Sequence, residues 1–240
     1  MLRLRQIALV APDLGPVEAD VGRTVVADIC YRDPGVGKYG LENALWALGG
    51  TFLEALAPTQ ADTTAGRYMA RRGGATGYMV ILDTDDLAPV RARLAALNVR
   101  IVEDLTVGDS KLHATALHLH PRDTGGCLLS IDHHGPDASM LGSYMWAGAG
   151  WHRHCRPDLF ISGAVMACDD PATTAARWAT ILDRTASPHG KGWRIMLDNG
   201  ALDFLPVTSP RGEGLDAIRL TGLDAPAHVG GLDFLPETDQ

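Results

Sequence analysis

Gln6-Ile7-Ala8-Leu9-Val10-Ala11-Pro12-Asp13-Leu14 returns in outline as Met79-Val80-Ile81-Leu82-Asp83-Thr84-Asp85-Asp86-Leu87, and again as Gly163-Ala164-Val165-Met166-Ala167-Cys168-Asp169-Asp170-Pro171. Each copy is an apolar run of strand length that delivers an Asp into a helical stretch. The carboxylate suits that place because it accepts from the free N–H groups of a first helical turn. Pro171 fits the first helical position. The second copy has the clearest helix: Leu87, Val90, Leu94 and Leu97 share a face, Pro89 is early enough to be tolerated, and Asn98 suits the C-terminal cap. In the third, Ala175, Ala176, Trp178, Ala179, Ile181 and Leu182 suit a packed helix. The first, Val17 to about Asp28, is interrupted by glycine.

Short strands follow each helix: Asp28–Arg32, Gly40–Ala47 and Thr51–Ala57 after the first; Arg100–Glu103, His113–His120 and Cys127–Asp132 after the second; Trp193–Leu197 and Ala201–Pro206 after the third. The repeat is therefore strand, helix, then two or three antiparallel strands separated by Gly and Pro turns. A fourth copy starts near Leu215–Leu223 but has no room for a helix before Val229–Leu235. The expected class is α+β, built from repeated βαβββ-like units with a truncated fourth. Gly135 to Gly150, rich in Gly, Ala, Ser and Met, reads as a linker or covering loop. Residues 1–134 then hold two full units, 135–154 the linker, and 155–240 a reduced domain.

The 240 residues carry 29 acidic against 21 basic side chains. That balance speaks against a broad nucleic-acid or anionic-membrane surface, which needs clustered Lys and Arg. No apolar run approaches the roughly 20 residues that span a bilayer. Met1-Leu2-Arg3-Leu4-Arg5 enters strand-like sequence without a signal-peptide core, so a cytoplasmic protein is expected. Cys30, Cys127, Cys155 and Cys168 form no C-x-x-C pair and read as reduced packing residues. Sheet edge left by the short fourth unit favours a homodimer.

Several segments together resemble the vicinal-oxygen-chelate superfamily, in its glyoxalase-like and methylmalonyl-CoA-epimerase-like branch. They are the strand-Asp-Leu starts, Leu41-Glu42-Asn43-Ala44, Gly50-Thr51-Phe52-Leu53-Glu54, Gly77 to Val99, and the hairpin-like His120-Pro121-Arg122-Asp123-Thr124-Gly125-Gly126. The resemblance implies paired βαβββ units whose mixed sheet curls into a cup around a small-molecule site, so that residues 1–134 form one such cup. It also implies a divalent ion held by one residue from the first and one from the last strand of each unit. Those positions fall on Gln6, Glu54, Met79 and Ser130. A thioether and a neutral hydroxyl are poor donors to a hard cation, so the usual metal site reads as degraded and no cofactor is expected. In the C-terminal part the corresponding residues are Gly163 and one of Leu202, Asp203 or Phe204.

Glu54 interrupts the apolar strand Phe52–Leu56; a carboxylate facing an apolar cup has a raised pKa and can serve as a base without metal. The plainer reading is a vestigial carboxylate bonded to Gln6 or Ser130. His118 and His120, two apart on a strand, face one side. With Gln6 and Glu54, either of them offers a displaced metal site; otherwise they are a strand-edge pair. His152, His154 and Cys155 lack a second ligand pair and read as loop residues. Arg67, Arg71 and Arg72 present either an anion fork at the cup's mouth or a solvated helix end. The expected function is binding of a small carbonyl, thioester or aromatic compound in the N-terminal cup, with Gln6, Met79, His118 and Ser130 contacting it. A lyase or isomerase would use Glu54 as base; the alternative is a metal-free sequestering protein.

Overall fold

The computed structural model describes residues 1–109, 112–135 and 139–237. Strand β1 (Leu2–Val10) is buried along its whole length. The Asp13 carboxylate accepts from Gly15 N and starts α1 (Leu14–Val25), which sends Leu14, Val17, Val21 and Val25 into the core. β2 (Leu41–Leu48) and β3 (Thr51–Pro58) form a hairpin across Gly49-Gly50. Both glycines have positive φ, as a tight two-residue hairpin turn demands. After α2 (Thr64–Arg71) the second unit runs through β4 (Thr76–Thr84), α3 (Ala88–Ala96), β5 (Ile101–Gly108), β6 (His113–Leu119), α4 (Pro121–Thr124) and β7 (Leu128–Gly135). These strands make one sheet, ordered β2-β3-β1-β4-β7-β6-β5.

The third unit comprises β8 (Phe160–Cys168), α5 (Pro171–Leu182), β9 (Ala186–His189), β10 (Gly192–Leu197) and β11 (Gly200–Pro206). The fourth has β12 (Gly214–Thr221), β13 (Ala227–Val229) and β14 (Leu232–Pro236), with no helix between them. Together they form a second sheet, ordered β13-β14-β12-β8-β11-β10-β9. In every unit the first strand pairs parallel with the last. Units join antiparallel through their first strands, β1 to β4 and β8 to β12. The repeated α+β architecture with a truncated fourth unit is what the sequence repeat implied, and its curled sheet is what the resemblance implied.

Three local expectations need correction. Asp28–Arg32 is not a strand: only Tyr31 bridges to Leu45 on the outer edge of β2, and Asp33 then caps a 3₁₀ turn over Pro34–Tyr39. The first helix stops at Val25 because Val26 adopts the left-handed conformation. The His120–Gly126 motif is not a hairpin but the one-turn helix α4, with Gly125 and Gly126 at positive φ behind it.

One core joins both sheets. It holds Ile7, Leu9, Val80 and Leu82 of the first, Val17 and Val21 of α1, and Met166, Trp178, Ile218 and Phe234 of the third and fourth units. The helix-bearing faces of the two sheets thus pack on each other. Contact is close enough that a Cβ on Gly231 would collide with the Ala75 carbonyl, and one on Gly77 with the Leu215 carbonyl. The opposite face of the first sheet is the concave one. Ala65, Tyr68 and Met69 of α2 cover one end, over Ala8, Val10, Leu56, Met79 and Ile81. Tyr144, Ala147 and Trp151, from the stretch read as linker or cover, pack on Leu45, Ala47 and Phe52 at the other. All four cysteines are free thiols. Among the described residues no helix is long and apolar enough to cross a membrane.

Candidate functional site

A β-bulge creates the centre of the concave face. Leu4 lies opposite Leu82 and Gln6 opposite Ile81, so Arg5 is the extra residue in β1. A bulge locally breaks the alternation of side chains, and here Arg5 and Gln6 both reach the concave side. The Arg5 guanidinium lies 5.5 Å from the Phe52 ring centre and 4.9 Å from that of Tyr144, and Nη1 donates to the Met140 carbonyl at 2.8 Å. Gln6 Nε2 donates to Glu54 Oε2 at 2.8 Å. Asn43 Nδ2, from β2, donates to Glu54 Oε1 at 2.6 Å, and Asn43 is itself oriented by accepting from Asp33 N at 2.8 Å.

Glu54 is only 8% exposed. Burial pushes its carboxyl up to about 7; the Asn43 and Gln6 amides pull the other way without cancelling it, and the charge of Asp33 adds to the rise. Near neutral pH this group exchanges between acid and base, the range in which proton transfer to or from carbon is served best.

Met79 pairs with Ala8, and Ser130 with Ile81, which in turn faces Gln6. Met79 sits in the apolar cluster of the concave face. Ser130 donates instead to Asp132, two residues along β7, whose other oxygen accepts from Trp146 Nε1 at 2.8 Å. Burial lifts the Asp132 carboxyl to about 7, opposed by the Ser130 and Trp146 donors and reinforced by Asp83. Tyr144 joins this side to the other: its hydroxyl donates to Gln6 Oε1 at 2.7 Å. Its ring stacks on Phe52 at 4.2 Å with planes 10° apart and meets the His134 ring at 4.5 Å. His134, fully buried, has Nδ1 3.6 Å from Asp83 Oδ1, while Asp83 Oδ2 accepts from Arg3 Nη2 at 2.8 Å. Burial holds the His134 imidazole below its ordinary pKa.

The mouth is bridged. Lys38 Nζ, on the 3₁₀ turn of the first unit, reaches Glu103 Oε1 on edge strand β5 at 2.8 Å, and the Tyr39 hydroxyl donates to the same carboxylate. His118 Nδ1 lies 3.6 Å from Glu103 Oε2. His120 instead caps α4, accepting from Arg122 N at 3.1 Å, with Arg100 Nη2 beside the same nitrogen. His152 Nε2 donates to the Leu141 carbonyl at 2.8 Å. Arg72 is a buried tie, with Nη1 on the carbonyls of Arg211 and Glu213 at 2.8 and 2.6 Å and Nη2 on Asp216 at 2.5 Å. It is therefore not the anion fork at the mouth that the sequence allowed.

The divalent ion implied by the fold does not fit these donors. The Gln6 carbonyl is taken by Tyr144, both Glu54 oxygens by amides, Ser130 by Asp132, and Met79 is a thioether among apolar groups. Among the described residues no group of three or more His, Cys, Asp or Glu is placed to hold a metal. Asn43, Asp132, His134, Tyr144 and Trp146 escaped the sequence reading. Asp132 alone carried a signal, standing two residues after Ser130 and hence on the same face of a strand.

The repeated βαβββ fold is that of the glyoxalase-like, vicinal-oxygen-chelate class of proteins. A family model described as a glyoxalase-like domain matches residues 7–182, and the chain belongs to that family. A hypothetical protein from Staphylococcus aureus has the same fold, with a TM-score of 0.73 over 99% of both chains at 13% identity. Methylmalonyl-CoA epimerase from Mycobacterium tuberculosis aligns with a TM-score of 0.48 and 19% identity, over 56% of this chain and 89% of its own. Hypothetical protein BH1468 from Bacillus halodurans C-125 aligns with a TM-score of 0.48 and 16% identity, over 57% and 98% respectively. No curated protein matches the chain.

Proposed function

We infer that the concave face of the first sheet, within residues 1–134, takes a small carbonyl or thioester compound and that Glu54 moves a proton at the carbon beside its carbonyl, as in an isomerase or lyase. The observation that carries this reading is the state of Glu54: buried, raised to about 7, and aimed by two amide donors at 2.8 and 2.6 Å. A base of that strength abstracts a carbon-bound proton only when the enolate oxygen finds donors. The amide N–H groups of Asn43 and Gln6, which reach the Glu54 carboxylate at 2.6 and 2.8 Å, are the donors that stand beside it on the sheet. Met79 and Leu128 supply apolar wall, and His118 stands at the mouth. The second domain, 155–240, supports the first sheet from behind, and a homodimer covers the exposed strand edges.

The test is exchange of α-protons in deuterium oxide, followed by mass spectrometry over a panel of small ketones, 2-oxoaldehydes and acyl thioesters. The wild-type chain is expected to exchange at least one panel member, and Glu54→Gln to lose that exchange by a factor of about 100 or more. Exchange unchanged in Glu54→Gln would overturn the assignment. Tight binding without exchange would leave the protein a sequestering receptor.

A further inference from the structure

Tyr144 sits in the first sheet as a ligand sits in a site. It belongs to the covering segment, yet its ring fills a slot whose walls are Phe52 at 4.2 Å and His134 at 4.5 Å. The Arg5 guanidinium closes a third side at 4.9 Å. Its hydroxyl is received by the Gln6 carbonyl at 2.7 Å, and the amide end of Gln6 holds Glu54. Phe52, His134, Arg5 and Gln6 all come from strands β1, β3 and β7, so the receiving half of the slot is part of the rigid sheet. The occupant comes from a segment of 3₁₀ turns, Met145–Ala147 and Trp151–His154, tied to the sheet mainly by side chains.

We propose that this slot is a binding subsite for a phenolic ring, and that Tyr144 is its exchangeable resident. This rests on reading the concave face as the ligand site and narrows the compound it takes to one carrying a flat ring with a hydroxyl. The chemistry selects that class. The Phe52 ring, stacked at 10° to the occupant, and the His134 ring, tilted by 37° to it, favour a flat ring over a saturated one of equal volume. A lone carbonyl acceptor at the closed end accepts from a phenol O–H and leaves a methyl or hydrogen without a partner. A cation against the ring adds attraction to an electron-rich face. A phenol that displaces Tyr144 also frees the covering segment, so occupancy of the slot and access to Glu54 rise together.

The experiment titrates the full chain with 4-methylphenol, toluene and 4-methylcyclohexanol. Trp146 and Trp151 fluorescence report the covering segment, and calorimetry reports binding. The wild type is expected to bind 4-methylphenol weakly, because the tethered Tyr144 competes at high effective concentration, with a change in tryptophan emission as the segment is released. Tyr144→Gly is expected to bind it at least tenfold more tightly. In that variant 4-methylphenol should exceed toluene by about twofold to twelvefold, the worth of one hydrogen bond, and Gln6→Leu should erase that preference. Circular dichroism of each variant checks folding, and the wild-type titration does not depend on any substitution. Equal binding of toluene and 4-methylphenol by Tyr144→Gly would show a mere hole and overturn the proposal. So would a wild type that shows no emission change up to the solubility limit of 4-methylphenol. Neither result touches the deuterium-exchange test of Glu54, so the two readings fail separately.

Discussion

Asp203 stands in the second sheet where Glu54 stands in the first. Glu54 faces Ala8, two residues beyond Gln6, and Asp203 faces Val165, two residues beyond Gly163. The bulges agree as well: Arg5 and Ser162 are the extra residues at one step, Tyr78 and Asp216 at the next. The paired units were thus duplicated with their irregularities intact. Their chemistry has diverged. Glu54 meets two neutral amides, whereas Asp203 meets Arg194 at 2.6 and 2.9 Å and Arg219 at 3.1 Å. Burial alone would raise the Asp203 carboxyl, but the two guanidiniums outweigh it and hold it below its ordinary value. One register position therefore carries a proton-exchanging group in the first sheet and a fixed charge in the second.

Stability should fall as pH rises through the neutral range. Glu54 and Asp132 are both lifted to about 7 from ordinary values of 4.5 and 3.8. Between those limits the folded chain keeps protons that the unfolded chain has lost, so their contribution is favourable at low pH and is lost as pH approaches 7. Each group contributes a slope of up to about 1.4 kcal/mol per pH unit. Urea midpoints measured from pH 5 to 8 should decline in the wild type and flatten in Glu54→Gln combined with Asp132→Asn. A wild-type midpoint that climbs across this range would contradict the assignment.

Asp203→Asn should cost about 2–4 kcal/mol, because it strands Arg194 and Arg219 on a mostly buried face. Asp203→Leu with Arg194→Met and Arg219→Met should recover much of the loss, since the charges that need a partner are gone. Denaturant unfolding of the single and triple variants decides this.

Val26→Gly should stabilise. Val26 is 70% exposed and ends α1 at φ 48°, a conformation that a β-branched side chain resists. Relief of that strain should add about 1 kcal/mol and raise Tm by roughly 2–4 °C. The Val26 carbonyl keeps its bond from Arg156, since glycine leaves the backbone in place.

Repetition made the architecture readable, because a strand that hands an Asp to a helix is a local event repeated in the sequence. Gln6 and Glu54 were singled out through the family resemblance, which marks one position on the first strand and one on the last; the bulge at Arg5 that turns Gln6 toward Glu54 had no local signal. Tyr144 was not. It lies in a Gly- and Ala-rich stretch without periodicity, and only the folded sheet decides which aromatic residue enters it. Asn43 lay inside a quoted motif but became meaningful only once hairpin register placed Leu45 opposite Glu54. Strand β9 escaped because Ser187 and Pro188 look like a turn, and a sheet edge tolerates both. Helix α2 was hidden by Gly66, and Asp28–Arg32 failed as a strand because its neighbours are committed to a helix end and a capped turn.

Arg72→Met should destabilise by about 3 kcal/mol or more, since three backbone carbonyls and the Asp216 carboxylate lose their cation in a buried place. Arg72→Lys should restore only part of this, as an ammonium cannot serve the same spread of acceptors. Thermal unfolding of both variants gives the comparison.

The tie between Arg72 and residues 211–216, with Gly231 seated under Ala75 and Gly77 against Leu215, bears on how the protein is made. A ribosome releases the first sheet long before it has polymerised the segment that finishes the back of it. Until residues 211–231 emerge, the Arg72 guanidinium has no carbonyls to hold and the apolar back of β4 stays open to water. The nascent chain thus passes through a stage with an exposed greasy surface beside an unmatched cation, the kind of intermediate that chaperones engage. Synonymous changes that slow translation after residue 135 would prolong that stage and lower the yield of soluble protein without altering a single amino acid.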